Sequence, residues 1–167
     1  MIRRTQRGFS LIELLVVIAI IAIMMAIAVP SFGSSVRASR ERSAVQRLTQ
    51  DFMWARGASA SNDASTLLTG TSGAPTLKVL VNADCTWTTT VNNTTDPKHS
   101  MTSTTLASIA PNAACTATGM TLPATFTFTP QGFVTTTGTL TFTGASTQTF
   151  ALQVLYSGAM FRVTHAS

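Results

Sequence analysis

Charge is scarce in this chain. Of 167 residues, 10% are Asp, Glu, Lys or Arg, and six of these are acids. The acids are scattered along the sequence, so no paired carboxylates stand ready for general acid–base work. Histidine is scarcer still: His99 and His165 lie far apart, and neither has a second ligand at metal spacing. Both read as surface or edge-strand residues. There is no glycine-rich phosphate loop and no nucleophile elbow. These absences exclude the common enzyme signatures, and neither a metal nor a cofactor is expected. No long repeat is visible in the sequence. The two cysteines, Cys85 and Cys115, are too few for a disulfide-built scaffold.

One further absence is local and points to something present. From Leu14 to Val29 there is no charge, no proline and no glycine. Extended back to Phe9, the run counts 21 residues, apolar except for Ser10 and Glu13. At 1.5 Å per residue this is roughly 31 Å of helix, the thickness of a bilayer's hydrocarbon core. Arg3, Arg4 and Arg7 precede the run and no acid does, so residues 1–8 are expected in the cytoplasm and the rest beyond the membrane. A secretory signal has a shorter apolar core followed by a small-residue cleavage site, whereas here the small residue, Gly8, comes first. Glu13 is the exception inside the run. It reads either as a helix-end acid that snorkels to the interface or as a buried acid that pairs with a cation when subunits pack side by side. A free amino group on Phe9, released by a cut after Gly8, would be such a cation.

Gly8-Phe9-Ser10-Leu11-Ile12-Glu13, followed by the long apolar run, resembles the class III signal of type IV pilins and type II secretion pseudopilins. The resemblance implies that a prepilin peptidase cuts between Gly8 and Phe9 and methylates the new amino terminus. It makes Glu13 the fifth residue of the mature chain, the acid used in assembly, and Pro30 the kink position.

The sequence pI of 10.3 looks like a nucleic-acid signal. Three of the eleven basic residues fall in the leader, however, leaving eight against six acids, a balance of +2. Threonine and serine carry most of the solvent face instead. Beyond a membrane Cys85 and Cys115 are free to bridge. Closing the roughly 30-residue loop between them would stabilise the domain by about 3–4 kcal/mol in the chain-entropy model. Two buried free thiols are the alternative.

After Pro30, Val45, Leu48, Phe52, Ala55 and Ser59 repeat at helical spacing. An amphipathic helix is expected from about Ser31 to Asn62, with a bend or melted turn at Pro30 and Gly33. Arg37, Arg40, Arg42, Arg47, Arg56 and Asp51 fall mostly off the stripe. They could form a basic strip for DNA or lipid headgroups. A solvated face with pairs such as Arg37–Glu41 is the expectation carried forward. Residues 62–75 read as a loop. Strands are expected at 76–82 and 85–91, a turn at 92–99, and no assigned element at 100–123. Four strands with period-two alternation follow, at 125–129, 139–143, 150–154 and 161–165, with Phe, Leu and Val inward and Thr outward. The fold class is α+β: a long amino-terminal helix, half membrane and half amphipathic, packed on a small antiparallel β domain. The expected division is 1–8 leader, 9–30 membrane and assembly helix, 31–62 amphipathic helix and 63–167 β-rich domain.

Three further stretches are similar to the GspH/FimT group of minor pilins and pseudopilins: 54–60 (WARGASA), 127–134 (TFTPQGFV) and 154–163 (VLYSGAMFRV). The resemblance implies a long helix on two small antiparallel sheets. DNA-binding members carry an arginine pair after the hairpin glycine. Here Ala159 and Phe161 stand near those positions, which argues against direct DNA capture and leaves Arg162 as the candidate nucleic-acid contact. The implied partners are other pilin or pseudopilin subunits, a prepilin peptidase, an inner-membrane assembly platform and the bilayer. The implied location is the bacterial inner membrane, crossed once, with the carboxy-terminal domain in the periplasm and then in a filament.

Overall fold

The computed structural model describes residues 10–61, 76–146 and 148–163. The chain divides into two compact units, Met1–Val36 and Arg37–Ser167. Helix α1 (Leu11–Ser61) runs through both. In the first unit its apolar window is wholly uncovered, and the helix is long and apolar enough to cross a membrane. The helix continues unbroken through Pro30 and Gly33, so the expected melted turn is absent from the backbone. The side chains of residues 28–31, Pro30 among them, lie outside the described residues.

In the second unit α1 buries Glu41, Ala44, Val45, Leu48, Asp51, Phe52, Ala55, Ala58 and Ser59. Steps of three and four residues put these on one face. The expected stripe is there, but it also contains two acids. The sheets it meets are four-stranded and antiparallel. The first has the order β3-β2-β1-β5 and the second β4-β6-β7-β8. Their strands are β1 (Leu77–Val81), β2 (Trp87–Val91), β3 (Thr94–Met101), β4 (Ala114–Thr118), β5 (Ala124–Phe128), β6 (Gly138–Thr143), β7 (Thr149–Val154) and β8 (Met160–Val163). Leu77, Val79 and Val81 point inward from β1, as do Ala124, Phe126 and Phe128 from β5. Phe52 of α1 meets Phe126 and Phe128 edge-on, with ring centroids 5.1 and 4.9 Å apart. This aromatic contact is the centre of the first sheet's interface with the helix.

Two expectations fail between residues 92 and 123. The turn at 92–99 shrinks to Asn92-Asn93, both at positive φ (50° and 64°), as a two-residue hairpin requires. Asp96-Pro97 lies within β3, where the register shifts against β2. Proline is tolerated there because β3 is an edge strand and the shift frees it from the ladder. In the stretch left unassigned, α2 (Ser103–Ile109) and β4 form. Helix α2 buries only Leu106 and is capped by Thr102, whose hydroxyl accepts the Thr105 N–H. Seven residues with one core contact carry no readable periodicity. Strand β4 hides its pattern in alanine and threonine.

A disulfide joins Cys85, in the β1–β2 turn, to Cys115 on β4, with Cα atoms 5.1 Å apart. It links the first sheet to the second, and the Cys115 N–H donates to the Ala83 carbonyl beside it at 2.8 Å. Replacing both cysteines by serine is expected to lower the stability of the folded chain by about 3–4 kcal/mol. Urea unfolding followed by tryptophan fluorescence measures this, with the oxidised parent as reference.

Candidate functional site

The first candidate site is the start of α1. The Ser10 hydroxyl accepts the Glu13 N–H at 3.2 Å, with Ser10 as cap and Glu13 three residues on. That spacing is the sequence signature of a capping box, of which the Ser10 half is formed, and a carboxylate there is also favoured by the helix dipole. These effects contribute about 0.3–1 kcal/mol. They are too small to offset a carboxylate in hydrocarbon, which costs about 3 kcal/mol at a membrane helix centre. Capping therefore explains how Glu13 is tolerated by the helix, and not why an acid is placed in so apolar a run. Among the described residues Glu13 has no cationic partner. Gly8 and Phe9, the expected processing pair, lie outside the described residues, as does His165.

The second candidate site brings together the three stretches singled out in the outer domain. Residues 129–133 form a tight turn: Gly132 N–H donates to the Thr129 carbonyl and Thr129 N–H to the Phe133 carbonyl, both at 2.8 Å. Residues 155–159 repeat the construction, with Gly158 N–H to Leu155 O at 2.9 Å and Leu155 N–H to Ala159 O at 3.0 Å. Each turn ends on a glycine at positive φ, 80° for Gly132 and 72° for Gly158. This left-handed position closes a three-residue hairpin loop and suits glycine. The two turns touch. A methyl group on Gly158 would sit 2.1 Å from the Gly132 carbonyl oxygen. The aliphatic stem of Arg56 from α1 lies over both glycines, 3.3 Å from where either Cβ would be. Val134 N–H donates to Tyr156 O at 3.1 Å, tying the turns together. On their outer side Phe133 and Tyr156 stack with centroids 5.3 Å apart while remaining 40% and 66% exposed.

Two residues expected on a solvated face are buried and engaged. Glu41 is 1% exposed and accepts from the backbone N–H of Ser146 at 2.7 Å and from its hydroxyl, holding the β6–β7 turn. It does not pair with Arg37. Asp51 accepts from Trp87 Nε1 at 2.9 Å and lies 3.0 Å from His99 Nδ1, fastening α1 to β2 and β3. His99 stacks on Trp54 at 3.7 Å between centroids. It is an edge-strand histidine, as expected, but one built into the core's rim. Both acids continue the stripe's own three-and-four spacing toward and within Leu48 and Phe52. That spacing is the sequence signal for their burial, and it runs against the ordinary preference of acids for the solvent face. Arg162, on β8, pairs in register with Leu152, and its guanidinium lies 5.0 Å from the centre of the Phe150 ring.

An uncovered apolar helix with one acid in its first turn, continued by an amphipathic half laid on two small antiparallel sheets, defines a pilin-like subunit. Comparison with known families agrees at both ends of the chain. Residues 3–29 match the prokaryotic N-terminal methylation motif, and residues 44–159 match the type II transport protein GspH family. The chain belongs to the GspH family of pilins and pseudopilins, whose members are structural subunits assembled with others of their kind. No curated protein and no solved structure matches it. The GspH match takes in the first two of these stretches and the third as far as Ala159, and so contains Arg56, Gly132 and Gly158.

Proposed function

We propose that the chain is a minor, pilin-like structural subunit of a type IV pilus, which primes or decorates the filament after cleavage between Gly8 and Phe9. In this reading residues 1–8 are the leader, 9–30 the membrane and assembly helix, 31–62 its amphipathic continuation and 63–167 the outward domain. The observation that carries it is Glu13: a carboxylate without a described partner, in the apolar window of α1, which no described residue covers. Before assembly lipid covers that surface; in the filament the helices of other subunits replace the lipid. The Glu13 carboxylate then meets the Phe9 amino group of a neighbour, which sets the axial stagger. Pro30 gives this helix its family kink position.

The description of the matching family favours a second reading, a pseudopilin of a type II secretion system with the same architecture. Deletion of the gene separates the two: loss of surface pili supports the first, and loss of exoprotein secretion with pili intact supports the second. Mass spectrometry of the protein from its own cells tests the shared step. The expected amino terminus is a methylated Phe9. Recovery of residues 1–8 on the mature protein would overturn both readings in favour of an unprocessed membrane-anchored adhesin.

A further inference from the structure

The charges of the outer domain are sorted by sign. Among the described residues of the second unit, Glu41, Asp51 and Asp96 are buried at 1%, 5% and 4% exposure, and Asp84 alone of the acids is exposed. The buried acids are occupied internally, by Ser146, by Trp87 and His99, and by the Lys98 N–H. The cations Arg37, Arg40, Arg42, Lys98 and Arg162 stand exposed. Among the described residues the exposed charges of this unit are therefore more positive than the formal balance of the sequence indicates.

Two of these cations converge. Arg162 sits on β8, the edge strand of the second sheet, facing the same way as the buried Leu152 with which it pairs. That orientation carries it toward α1, where it closes a groove of about 440 Å3 with Arg42, Val45, Gln46, Thr49 and Gln50. The lining holds two guanidinium groups, three neutral hydrogen-bonding side chains and no acid. Among the described residues neither arginine is in an ion pair.

We propose that this groove receives a carboxylate side chain from a neighbouring pilin-like subunit of different sequence. The inference rests on the assembly reading above, because the amphipathic continuation of the assembly helix forms one wall. Arginine's planar fork suits a carboxylate, and two forks with flanking carboxamides satisfy both of its oxygens. A second copy of this chain is a poor occupant, since its described outer surface offers only Asp84 against five exposed cations. A nucleic acid is also a poor fit. At about 100° per residue, Arg37 and Arg40 lie roughly 140–160° around α1 from Arg42, so no continuous basic track leads out of the groove. Strong polyanion binding needs several phosphates neutralised together.

The test is photo-crosslinking of the full-length protein in its own cells, with a crosslinking residue at Gln46 and, as an assembly control, at Ile20. The expected product at Gln46 is an adduct with a different pilin-like subunit, joined close to an Asp or Glu. It should fall about tenfold in the R42E/R162E double variant, as for loss of a charge-assisted pair. Replacing the partner's acid by arginine should restore it. An adduct with a second copy of this chain, or one indifferent to the charge reversal, overturns the proposal. So does an Ile20 adduct without one at Gln46. Adducts at neither position overturn the assembly reading and the groove's occupant with it. Binding of a fluorescent DNA duplex by the detergent-solubilised full chain, lost in the same double variant, would instead reassign the groove to a polyanion.

Discussion

Replacing Glu13 by glutamine should leave the protein inserted and processed but reduce its incorporation into filaments by roughly 30- to 150-fold, the equivalent of about 2–3 kcal/mol. Glutamine is close to an isostere and serves equally in a capping box, so the helix start is preserved. Only the charge is lost. In water the attraction between a carboxylate and an ammonium 4 Å apart is about 1 kcal/mol, but it grows several-fold as the surroundings become less polar. A filament core made of apolar helices is such a setting. In the proposed assembly the pair formed there would offset the desolvation of both groups, and removing one partner would leave the other's cost standing. The measurement is the ratio of this subunit to the major subunit in sheared filaments, with membrane content and amino-terminal mass as controls. Unchanged incorporation would reduce Glu13 to its capping role.

Gly158→Val is expected to destabilise the outer domain by about 4–6 kcal/mol, a large share of what a domain of this size possesses. Two costs combine. A β-branched residue is forced into the left-handed region at φ 72°, and its Cβ is placed 2.1 Å from the Gly132 carbonyl oxygen. The atom it meets is backbone in a second tight turn, so there is no flexible side chain to swing aside. The turns must separate, which exposes the stem of Arg56 and the Phe133–Tyr156 stack. Gly57→Ala supplies the contrast: nothing lies within 4 Å of its added Cβ, so the change should stabilise the helix by about 0.5–1 kcal/mol. Thermal unfolding of the full chain in detergent, monitored by tryptophan fluorescence, should show the first variant unfolding far earlier and the second slightly later than the parent. Equal midpoints for Gly158→Val and the parent would mean that the two turns are not held in contact.

The strands best read from sequence were those with large apolar residues in strict alternation. Phe126 and Phe128, and Leu140 and Phe142, point inward and their threonine neighbours do not; in β7 Phe150, Leu152 and Val154 are buried and Gln153 is exposed, with Ala151 buried as well. Where the inward residues are a cysteine and a half-buried alanine, as in β4, or where proline sits in an edge strand, as in β3, the pattern loses contrast. The local chemistry of Asp96-Pro97 is that of a turn. The register shift at the sheet's edge is a property of the pairing, and pairing is not local.

The sequence by itself determined the membrane-capable helix, the processing motif with its acid, the amphipathic continuation and the β-rich class of the outer domain. These depend on runs, periods and fixed spacings along one chain, which are short-range quantities. Only the tertiary structure decided which charges face outward. Glu41 and Asp51 share their helix with five arginines, yet they turn inward because Ser146, Trp87 and His99, distant in sequence, supply the hydrogen bonds that make a buried carboxylate tolerable. The same holds for Arg56 with Gly132 and Gly158, and for Arg42 with Arg162. These last two groupings join the helix to strands or turns more than seventy residues away, and Asp51 reaches Trp87 and His99 across 36 and 48 residues. Hydropathy reports a side chain's affinity for water, and the partner that changes the outcome comes into reach only when the chain has folded.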